Sequence, residues 1–407
     1  MPVAVHPGYP ERYAVVVAAL NEAPDARVIG TLPGLPQFRP LEVIARQCRR
    51  RPASGSYIQR SPPPVSNPIN RQWLLASRPQ GSLKLSDFAW HEQAFPPPAL
   101  EEGELLLHNR YFLCAPTMRN FLNAPGRSYR ASVAIGSPVS GVVGSEVIAS
   151  RDPAYPVGCR VTTIAGWEDY SRLNPGRVEV PVYRAPDDVG LEEMMGPLSL
   201  NSLTAYYGLF GIGKIQPGET VVVSAAAGSV GSMACQIARI AGCRVVGIAG
   251  GPAKCAWLRD TLRVDGAIDY KSDAIAARLA ELCPQGVDVY FDNVGGVVLD
   301  AVMDQMTVHG RVAVCGQLSA YDSDAPARGG FDMMKVVYRR IRVEGFVLGD
   351  YAAQVDTARA RLRAWLREGR IHCRIDLRQG LRSVPTAFLD LFKGANEGTL
   401  LVANDTS

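Results

Sequence analysis

The sequence predicts an α/β protein that combines a doubly wound parallel sheet with a second, β-rich domain. One observation is the regular alternation of apolar strand and helix patterns from about residue 217 to residue 345, which is typical of a parallel sheet covered by helices. Another is the run of short β-branched segments, separated by glycine and proline, from residue 70 to about residue 162. This second pattern is typical of a partly open barrel. A chain of 407 residues also exceeds one ordinary core and predicts two domains.

The same patterns give bounds for individual elements. The parallel sheet is predicted to contain strands at residues 220–224, 244–248, 266–269, 287–291, 310–315 and 341–348. Its helices are predicted at residues 229–241, 254–263, 274–282, 298–306 and 357–368. The β-rich part is predicted to contain strands at residues 105–107, 131–135, 141–149 and 160–162, followed by a helical bridge at residues 191–211. After residue 371 the pattern again indicates strands and turns.

One stretch of the alternating region predicts a nucleotide site. Three valines at residues 221–223 indicate a buried strand. Ala226, Gly228 and Gly231 follow at the spacing of a dinucleotide-binding turn, with alanine in the first glycine position. Small residues are needed there because the backbone approaches a pyrophosphate and the next helix packs closely on the strand. That helix is predicted to stop at Gly242.

The end of the second predicted strand indicates which dinucleotide binds. An NAD site usually has a carboxylate about 20 residues after the glycines, but Gly250, Gly251 and Pro252 occupy this place. Lys254 follows them, and an ammonium group is suited to a 2′-phosphate. Lys254 alone would equally fit a solvated residue in the first turn of a helix. Together with the missing acid, it favours NADP(H) over NAD.

Charge is concentrated in the first segment of the chain. Residues 1–66 hold eight arginines and four acidic residues, so they account for the whole formal charge of +4 and the remainder is balanced. A balanced surface gives no indication of a nucleic-acid partner. Residues 1–68 also hold twelve of the thirty prolines, which predicts a disordered extension. Mitochondrial targeting by its arginines stays open as an alternative.

The cysteines indicate a cytoplasmic protein. All nine are scattered singly, with no Cys-x-x-Cys pair, which predicts reduced thiols in place of disulfides or a structural zinc site. No apolar run approaches the ~20 residues that a membrane span requires.

A catalytic zinc ion is not expected. Zinc alcohol dehydrogenases of comparable layout need a cysteine, a Gly-His-Glu turn and a further ligand. Cys114 lies where the cysteine would stand, but Gly136, Ser137 and Pro138 occupy the place of the turn and offer no imidazole. Cys114 is therefore interpreted as a small buried hydrophobe.

Several motifs within residues 69–405 resemble one known family. They are residues 70–79 (Asn-Arg-Gln-Trp-Leu-Leu-Ala-Ser-Arg-Pro), 166–170 (Gly-Trp-Glu-Asp-Tyr), 203–206 (Leu-Thr-Ala-Tyr), 291–296 (Phe-Asp-Asn-Val-Gly-Gly), 315–316 (Cys-Gly) and 345–346 (Gly-Phe). In this order they resemble the zinc-independent branch of the medium-chain dehydrogenase/reductase superfamily. The group of closest resemblance contains leukotriene B4 12-hydroxydehydrogenase (prostaglandin reductase), plant alkenal double-bond reductases and bacterial curcumin reductase.

This resemblance implies a fold and an activity. A Rossmann domain at residues 198–374 is expected beside a GroES-like β-barrel domain built from residues 69–197 and 375–407, with the active site between them. The implied reaction is the NADPH-dependent reduction of a carbon–carbon double bond conjugated to a carbonyl, with hydride added at the β-carbon. The substrate is then a small enone, enal or quinone, and a homodimer is implied. A quinone reductase of the same superfamily and an NADPH-binding protein without catalysis stay open as alternatives.

The resemblance also assigns candidate site residues. Those for the coenzyme are Ala227, Gly228, Ser229, Val230, Lys254, Tyr270, Asn293, Cys315, Tyr321, Phe346, Val347, Leu348 and Asn396. Tyr321 is the catalytic candidate, because a phenol donates to an oxyanion while it stays neutral at pH 7. From the residues alone, a half-exposed strand end is favoured for Tyr270, whereas Tyr321 equally fits a packed loop aromatic. Asn293 likewise fits a turn, and residues 346–348 fit a core strand.

The chain departs from the family pattern at three places. The spacing from Lys254 to Tyr270 is one residue longer than usual, and Thr399 stands where the family has a lysine. Residues 115–119 read Ala-Pro-Thr-Met-Arg where relatives have Asp-Pro-Tyr-Met-Arg. The loss of an acid and a phenol there predicts a larger or more apolar substrate pocket.

Overall fold

The computed structural model describes residues 69–405, except residues 97, 127, 129, 323–329 and 331. The extension predicted at residues 1–68 lies outside the described residues. Within the described part of the chain, none of the helices is both long and apolar enough to cross a membrane.

The strands form three sheets. In chain order they are β1 (Ile69–Leu75), β2 (Phe88–Ala94), β3 (Leu105–Leu113), β4 (Ser140–Ser150), β5 (Arg160–Gly166), β6 (Tyr170–Leu173), β7 (Tyr183–Arg184), β8 (Thr220–Ser224), β9 (Arg244–Ala249), β10 (Gly266–Asp269), β11 (Val287–Asp292), β12 (Met306–Val314), β13 (Arg342–Gly345), β14 (Ile375–Gln379) and β15 (Thr399–Ala403). One sheet has the order β10-β9-β8-β11-β12-β13, another has the order β14-β15-β3-β4-β5-β7 with β6 beside β3, and β1 pairs with β2. The predicted combination of a parallel sheet with a second β-rich part is confirmed.

The six-stranded sheet is parallel at every neighbouring pair. All of β8 and all but the first residue of β9 are buried, as expected for valine-rich strands covered on both faces. The strand order turns back between β8 and β11. Ligands of such sheets bind outside the carboxyl ends of the strands at this point, which here are Ser224 and Asp292.

Helices alternate with the parallel strands. They are Ser229–Ile240, Pro252–Asp260, Ile275–Leu282, Gly296–Met303, Leu318–Tyr321, Met333–Arg339 and Val355–Arg367, preceded by Leu191–Met195 and Leu200–Tyr207. Met118–Phe121 and Val384–Phe392 pack with the seven-stranded sheet. Short 3-10 helices lie at Leu85–Asp87, Leu348–Gln354 and Leu381–Ser383, and a π-helix lies at Gly208–Gly213. Helix Ser229–Ile240 stops before Gly242, which has a φ of 86°, so the predicted stop is confirmed.

The seven-stranded sheet joins segments that are distant in sequence. β15 pairs antiparallel with β3, so that Leu401 lies opposite Leu113. The β1–β2 hairpin is held by Arg71, whose Nε donates to Oδ2 of the buried Asp169 at 2.8 Å. Burial alone would raise the pKa of Asp169, but the hydrogen bonds from Arg71 and Asn404 outweigh it and hold that pKa below its ordinary value. The ion pair therefore fixes the hairpin to the sheet in its charged form.

One predicted strand is absent, and another is shorter than predicted. Residues 131–135 form no strand, because the N–H of the buried Val133 donates to the carbonyl of Phe121 at 2.8 Å and not to a neighbouring strand. The strand predicted at residues 341–348 stops at Gly345. Asp350 accepts from the N–H of Val347 at 3.3 Å and starts the turn that follows. Phe346, Val347 and Leu348 thus lie beyond the strand.

Two predictions about helices also need correction. The bridge at residues 191–211 is interrupted at Gly196, where the backbone leaves the helical region just before Pro197, because proline disfavours a helical conformation in the residue before it. The segment after residue 371 contains the helix Val384–Phe392 in addition to strands and turns. Its buried residues Val384, Ala387, Phe388 and Leu391 have the spacing of a helix face, so the sequence carried this information.

Candidate active site

The turn after β8 is shaped by close packing between backbone atoms. Ala225 adopts a φ of 47°, and the N–H of Gly228 donates to the carbonyl of Ala225 at 2.9 Å. A Cβ at Gly231 would collide with this same carbonyl oxygen, so only glycine fits there. Ala227 is buried, and helix Ser229–Ile240 begins directly after Gly228. The N–H groups of its first turn lack partners within the helix, and such groups bind anions.

A returning segment of the chain covers this turn. Gly228 forms an isolated parallel bridge with Gly398, and the hydroxyls of Ser229 and Thr399 lie 2.7 Å apart. The side-chain amide of Asn201 also donates to Oγ of Ser229 at 2.9 Å. Asn396 donates from Nδ2 to the carbonyl of Gly398 at 2.9 Å. The hydroxyl of Ser229 therefore holds the returning segment, and Val230 packs against the core behind the turn.

A cationic pocket lies at the ends of β9 and β10. A Cβ at Gly250 would lie 2.7 Å from Cε1 of Tyr270 and 3.0 Å from Cε of Lys271. Lys254 donates from Nζ to the carbonyl of Gly394 at 2.8 Å. Burial and then the neighbouring charge of Lys271 lower the pKa of Lys254. The pocket thus concentrates positive charge, which suits a phosphate group.

Sequence reasoning missed two features of this pocket. Lys271 follows directly after Tyr270, which is 50% exposed, and nothing in the spacing shows that its side chain faces Gly250. Asp269 precedes them, and its Oδ1 accepts from the N–H of Gly251 at 2.8 Å and of Lys271 at 3.0 Å. These bonds hold both segments of the pocket together and keep the pKa of Asp269 below its ordinary value.

A polar network joins the carboxyl ends of β8 and β11. Asn293 donates from Nδ2 to the carbonyl of Ser224 at 2.7 Å, and its N–H donates to Oγ of Ser224 at 2.9 Å. Oδ1 of the buried Asp292 accepts from the hydroxyl of Tyr290 at 2.8 Å and from the N–H of Gly295 at 2.9 Å. The amide group of Asn293 therefore fixes the strand ends. The role of Asp292 was not predicted.

The loop after β12 carries the predicted catalytic residue. Cys315 donates from its N–H to the carbonyl of Asp292 at 2.8 Å, and burial raises the pKa of the Cys315 thiol to about 12, so the thiol stays protonated. A Cβ at Gly316 would lie 2.8 Å from the hydroxyl of Tyr321. The phenol of Tyr321 thus lies over the loop at the carboxyl end of the parallel sheet.

Phe346, Val347 and Leu348 follow directly after β13. The ring of Phe346 reaches the position of Gly208, where a Cβ would lie 2.7 Å from its Cζ. Val347 is exposed, whereas Leu348 packs against the core.

The surroundings of Cys114 bear on the expected absence of a zinc ion. Among the described residues, no group of three or more His, Cys, Asp or Glu side chains is arranged to hold a metal ion. Cys114 is buried, and burial raises the pKa of its thiol to about 12. This agrees with the interpretation of Cys114 as a packing residue, and independence from zinc stays a prediction.

Comparison with known proteins identifies relatives of the whole described chain. Family models described as "N-terminal domain of oxidoreductase" and "Zinc-binding dehydrogenase" match residues 71–180 and 229–364. The NADPH-dependent curcumin reductase of Escherichia coli is 36% identical over 338 residues, which are 82% of this chain and 96% of the relative. Prostaglandin reductase 1 of Bos taurus is 35% identical over 334 residues, which are 82% of this chain and 98% of the relative.

A solved structure of a relative has the same fold as this chain. CurA from Vibrio vulnificus in complex with NADPH superimposes with a TM-score of 0.76 at 37% sequence identity, covering 83% of this chain and all of CurA. The fold, the glycine turn and these matches define an oxidoreductase of the medium-chain dehydrogenase/reductase class. Within that class, the chain belongs to the family of the curcumin, prostaglandin and 2-alkenal reductases. The predicted family, fold class and enzymatic nature are confirmed.

Proposed function

We propose that this protein uses NADPH to reduce the carbon–carbon double bond of α,β-unsaturated ketones and aldehydes. The observation that carries the proposal is the placement of Tyr321 and the cationic pocket at the same edge of one parallel sheet. The names of the relatives support it, since they include an NADPH-dependent curcumin reductase, a 2-alkenal reductase of Nicotiana tabacum and a (+)-pulegone reductase of Mentha piperita.

The residues fit NADPH as the coenzyme. Gly250, Gly251 and Pro252 present no carboxylate to the ribose, and Lys254 and Lys271 lie beside them. In our assignment these lysines and Tyr270 bind the 2′-phosphate, and the backbone of residues 227–230 binds the pyrophosphate. Toward the nicotinamide we assign Asn293, Cys315, Tyr321, Phe346, Val347 and Leu348, and we assign Asn396 as a coenzyme contact from the returning segment. When bound, NADPH supplies the hydride.

Tyr321 carries the proposed acid chemistry. Addition of hydride at the β-carbon moves the π electrons of the double bond onto the carbonyl oxygen, which becomes an enolate. The phenol of Tyr321 donates a hydrogen bond to this oxygen where the negative charge develops. The α-carbon then takes a proton from solvent water, relayed by the phenol of Tyr321, and the saturated carbonyl compound leaves. Because a neutral donor is enough for this step, we propose that no metal ion takes part.

We further propose a domain division and an assembly. The parallel sheet defines a coenzyme domain at residues 198–374, and the seven-stranded sheet a second domain from residues 69–197 and 375–407. β13 is the edge strand of the parallel sheet, and all four of its residues are exposed. The adjacent helix Met333–Arg339 exposes Met333, Val337 and Tyr338. An unpaired edge beside an apolar surface favours a homodimer through this edge.

The function is tested by product analysis. Purified protein is incubated with NADPH and a panel of conjugated enals, enones and quinones, and the products are weighed by mass spectrometry. We expect saturated aldehydes and ketones that are two hydrogens heavier than the substrates. With NADPH deuterated at C4 of the nicotinamide, the label should appear on the β-carbon. Oxidation of NADPH by naphthoquinones alone, with no saturated enone product, would instead identify a quinone reductase.

The metal-free reaction is tested on the same preparation. We expect full activity after dialysis against EDTA and no stoichiometric zinc by elemental analysis. Loss of activity on chelation, restored by added zinc, would contradict this part of the proposal.

A further inference from the structure

Asp322 connects the loop that carries Tyr321 to the segment between β1 and β2. Its Oδ1 accepts from the N–H of Leu83 at 2.7 Å and lies 3.8 Å from Nε of Arg119. The hydroxyl of Ser82 donates to the carbonyl of Asp322 at 3.3 Å. One residue thus ties the loop after β12 to a segment that lies 239 positions earlier in the chain.

The groups that hold Asp322 are themselves fixed. Leu83 is buried in the apolar cluster that contains Met118 and Phe121. Arg119 is 2% exposed, and its guanidinium donates from Nη2 to the carbonyl of Gly81 at 3.0 Å. A buried guanidinium needs nearby negative charge and hydrogen-bond acceptors. The carboxylate of Asp322 is therefore attached to rigid, buried elements.

We propose that Asp322 is a positioning residue that holds the phenol of Tyr321 in place for the reaction, an inference that rests on the proposed function. Neighbouring Cα atoms are about 3.8 Å apart, so an anchor at residue 322 restricts where the backbone of Tyr321 lies. Tyr321 belongs to the four-residue helix Leu318–Tyr321, which is too short to be stable by itself. The hydrogen bond from Leu83 to Asp322 and the ion pair of Asp322 with Arg119 supply the missing constraint.

This role predicts which kinetic constant changes. The cationic pocket of Lys254 lies at the ends of β9 and β10, whereas Asp322 follows β12. Release of the loop should therefore lower kcat for an enone by a much larger factor than it raises the Kd of NADPH, because the proposed phosphate contacts stay in place. A displacement of a catalytic group by about 1 Å lowers the rate on the order of 100-fold, so even a partial release of the loop is measurable.

The test is a double-mutant cycle measured on the full chain. Asp322→Ala, Tyr321→Phe and the double variant are compared with the wild type at saturating NADPH and a small enone. We expect Asp322→Ala to lower kcat by roughly tenfold or more. In the Tyr321→Phe background the same change should have little further effect, because the group that it positions is already absent. Asp187→Ala, which removes a carboxylate whose side chain is 93% exposed, serves as the matched control and should behave as the wild type.

Two further readouts separate positioning from a general loss of structure. Asp322→Asn keeps an oxygen that accepts from Leu83 and should restore much of the kcat that Asp322→Ala loses. Hydrogen exchange should speed up at residues 81–84 and 316–322 in Asp322→Ala and stay at the wild-type rate in the strands of the parallel sheet.

The outcomes are distinct. Multiplicative losses in the double variant, or wild-type kcat in Asp322→Ala, overturn the role of Asp322 and leave the proposed function intact. A wild-type protein that reduces no enone overturns the proposed function and the positioning role with it.

Discussion

The two ends of the proposed coenzyme site are built in different ways. The phosphate end uses Gly250, Lys254, Tyr270 and Lys271, which lie within one strand–helix–strand unit of a buried parallel sheet. The substrate end brings together Leu83, Arg119 and the loop of Tyr321, which are far apart in the chain. The proposed phosphate end is therefore built mostly from residues that are close in sequence, with one contact, from Lys254 to the carbonyl of Gly394, to a distant segment. Geometry at the substrate end depends on long-range contacts.

The sharpest test of this contrast is Tyr321→Phe. Loss of the hydroxyl removes the donor to the enolate oxygen, and general acid–base groups contribute about 10²–10⁴-fold. We expect kcat for an enone to fall by roughly 100-fold or more, while the Kd of NADPH stays the same. Steady-state kinetics and titration of coenzyme fluorescence measure the two quantities. Unchanged turnover would remove Tyr321 from the mechanism.

Lys254→Ala should have the opposite profile. A hydrogen bond to a charged group is worth about 1.5–3 kcal/mol, so kcat/KM for NADPH should fall by roughly 10–100-fold. The value for NADH should not change, because NADH has no 2′-phosphate, and kcat at saturating NADPH should be near that of the wild type. A variant that keeps its preference for NADPH would show that the phosphate binds elsewhere.

The protonation of Lys254 gives a test in pH. Burial, and then the charge of Lys271, lower the pKa of Lys254 below that of an ordinary lysine. The cation is lost as pH rises through this pKa, so KM for NADPH should increase in the alkaline range while KM for NADH stays flat. Lys254→Arg keeps its charge at alkaline pH and should abolish the increase. A rise that persists in this variant would have to come from another group.

The smallest expected effect is that of Lys271→Ala. The side chain of Lys271 is exposed, and exposed ion pairs contribute about 0.2–1 kcal/mol, so KM for NADPH should rise by only a few-fold. Removal of its charge should also raise the pKa of Lys254 and move the alkaline increase in KM to higher pH. An increase in KM as large as that of Lys254→Ala would indicate that Lys271 is the main phosphate ligand.

Sequence reasoning succeeded where local chemistry determines the structure. The valines before Ala226 predict a buried strand, and glycine at position 231 is required by the collision that a Cβ would have with Ala225. The missing acid at residues 250–252 and the lysine after it likewise lie within one short segment.

It failed where a contact comes from a distant part of the chain. Residues 131–135 have a strand-like pattern, but Val133 binds Phe121 and no strand is available to pair with it. The strand predicted through residues 346–348 stops because Asp350 binds the backbone of Val347. Asp322 carries no pattern that distinguishes it from any loop acid, since its partner Leu83 is 239 positions away.

The bridge between Gly228 and Gly398 joins the glycine turn to a segment that the ribosome synthesises late. Ser229 and Thr399 are 170 residues apart, and ribosomes add about 5–20 residues per second. The segment that covers the glycine turn is therefore synthesised on the order of ten seconds after the turn itself. A nascent chain that stops short of residue 394 already contains every strand of the parallel sheet but lacks the carbonyl that Lys254 binds. The segment that covers the glycine turn is thus synthesised late, after every strand of the parallel sheet.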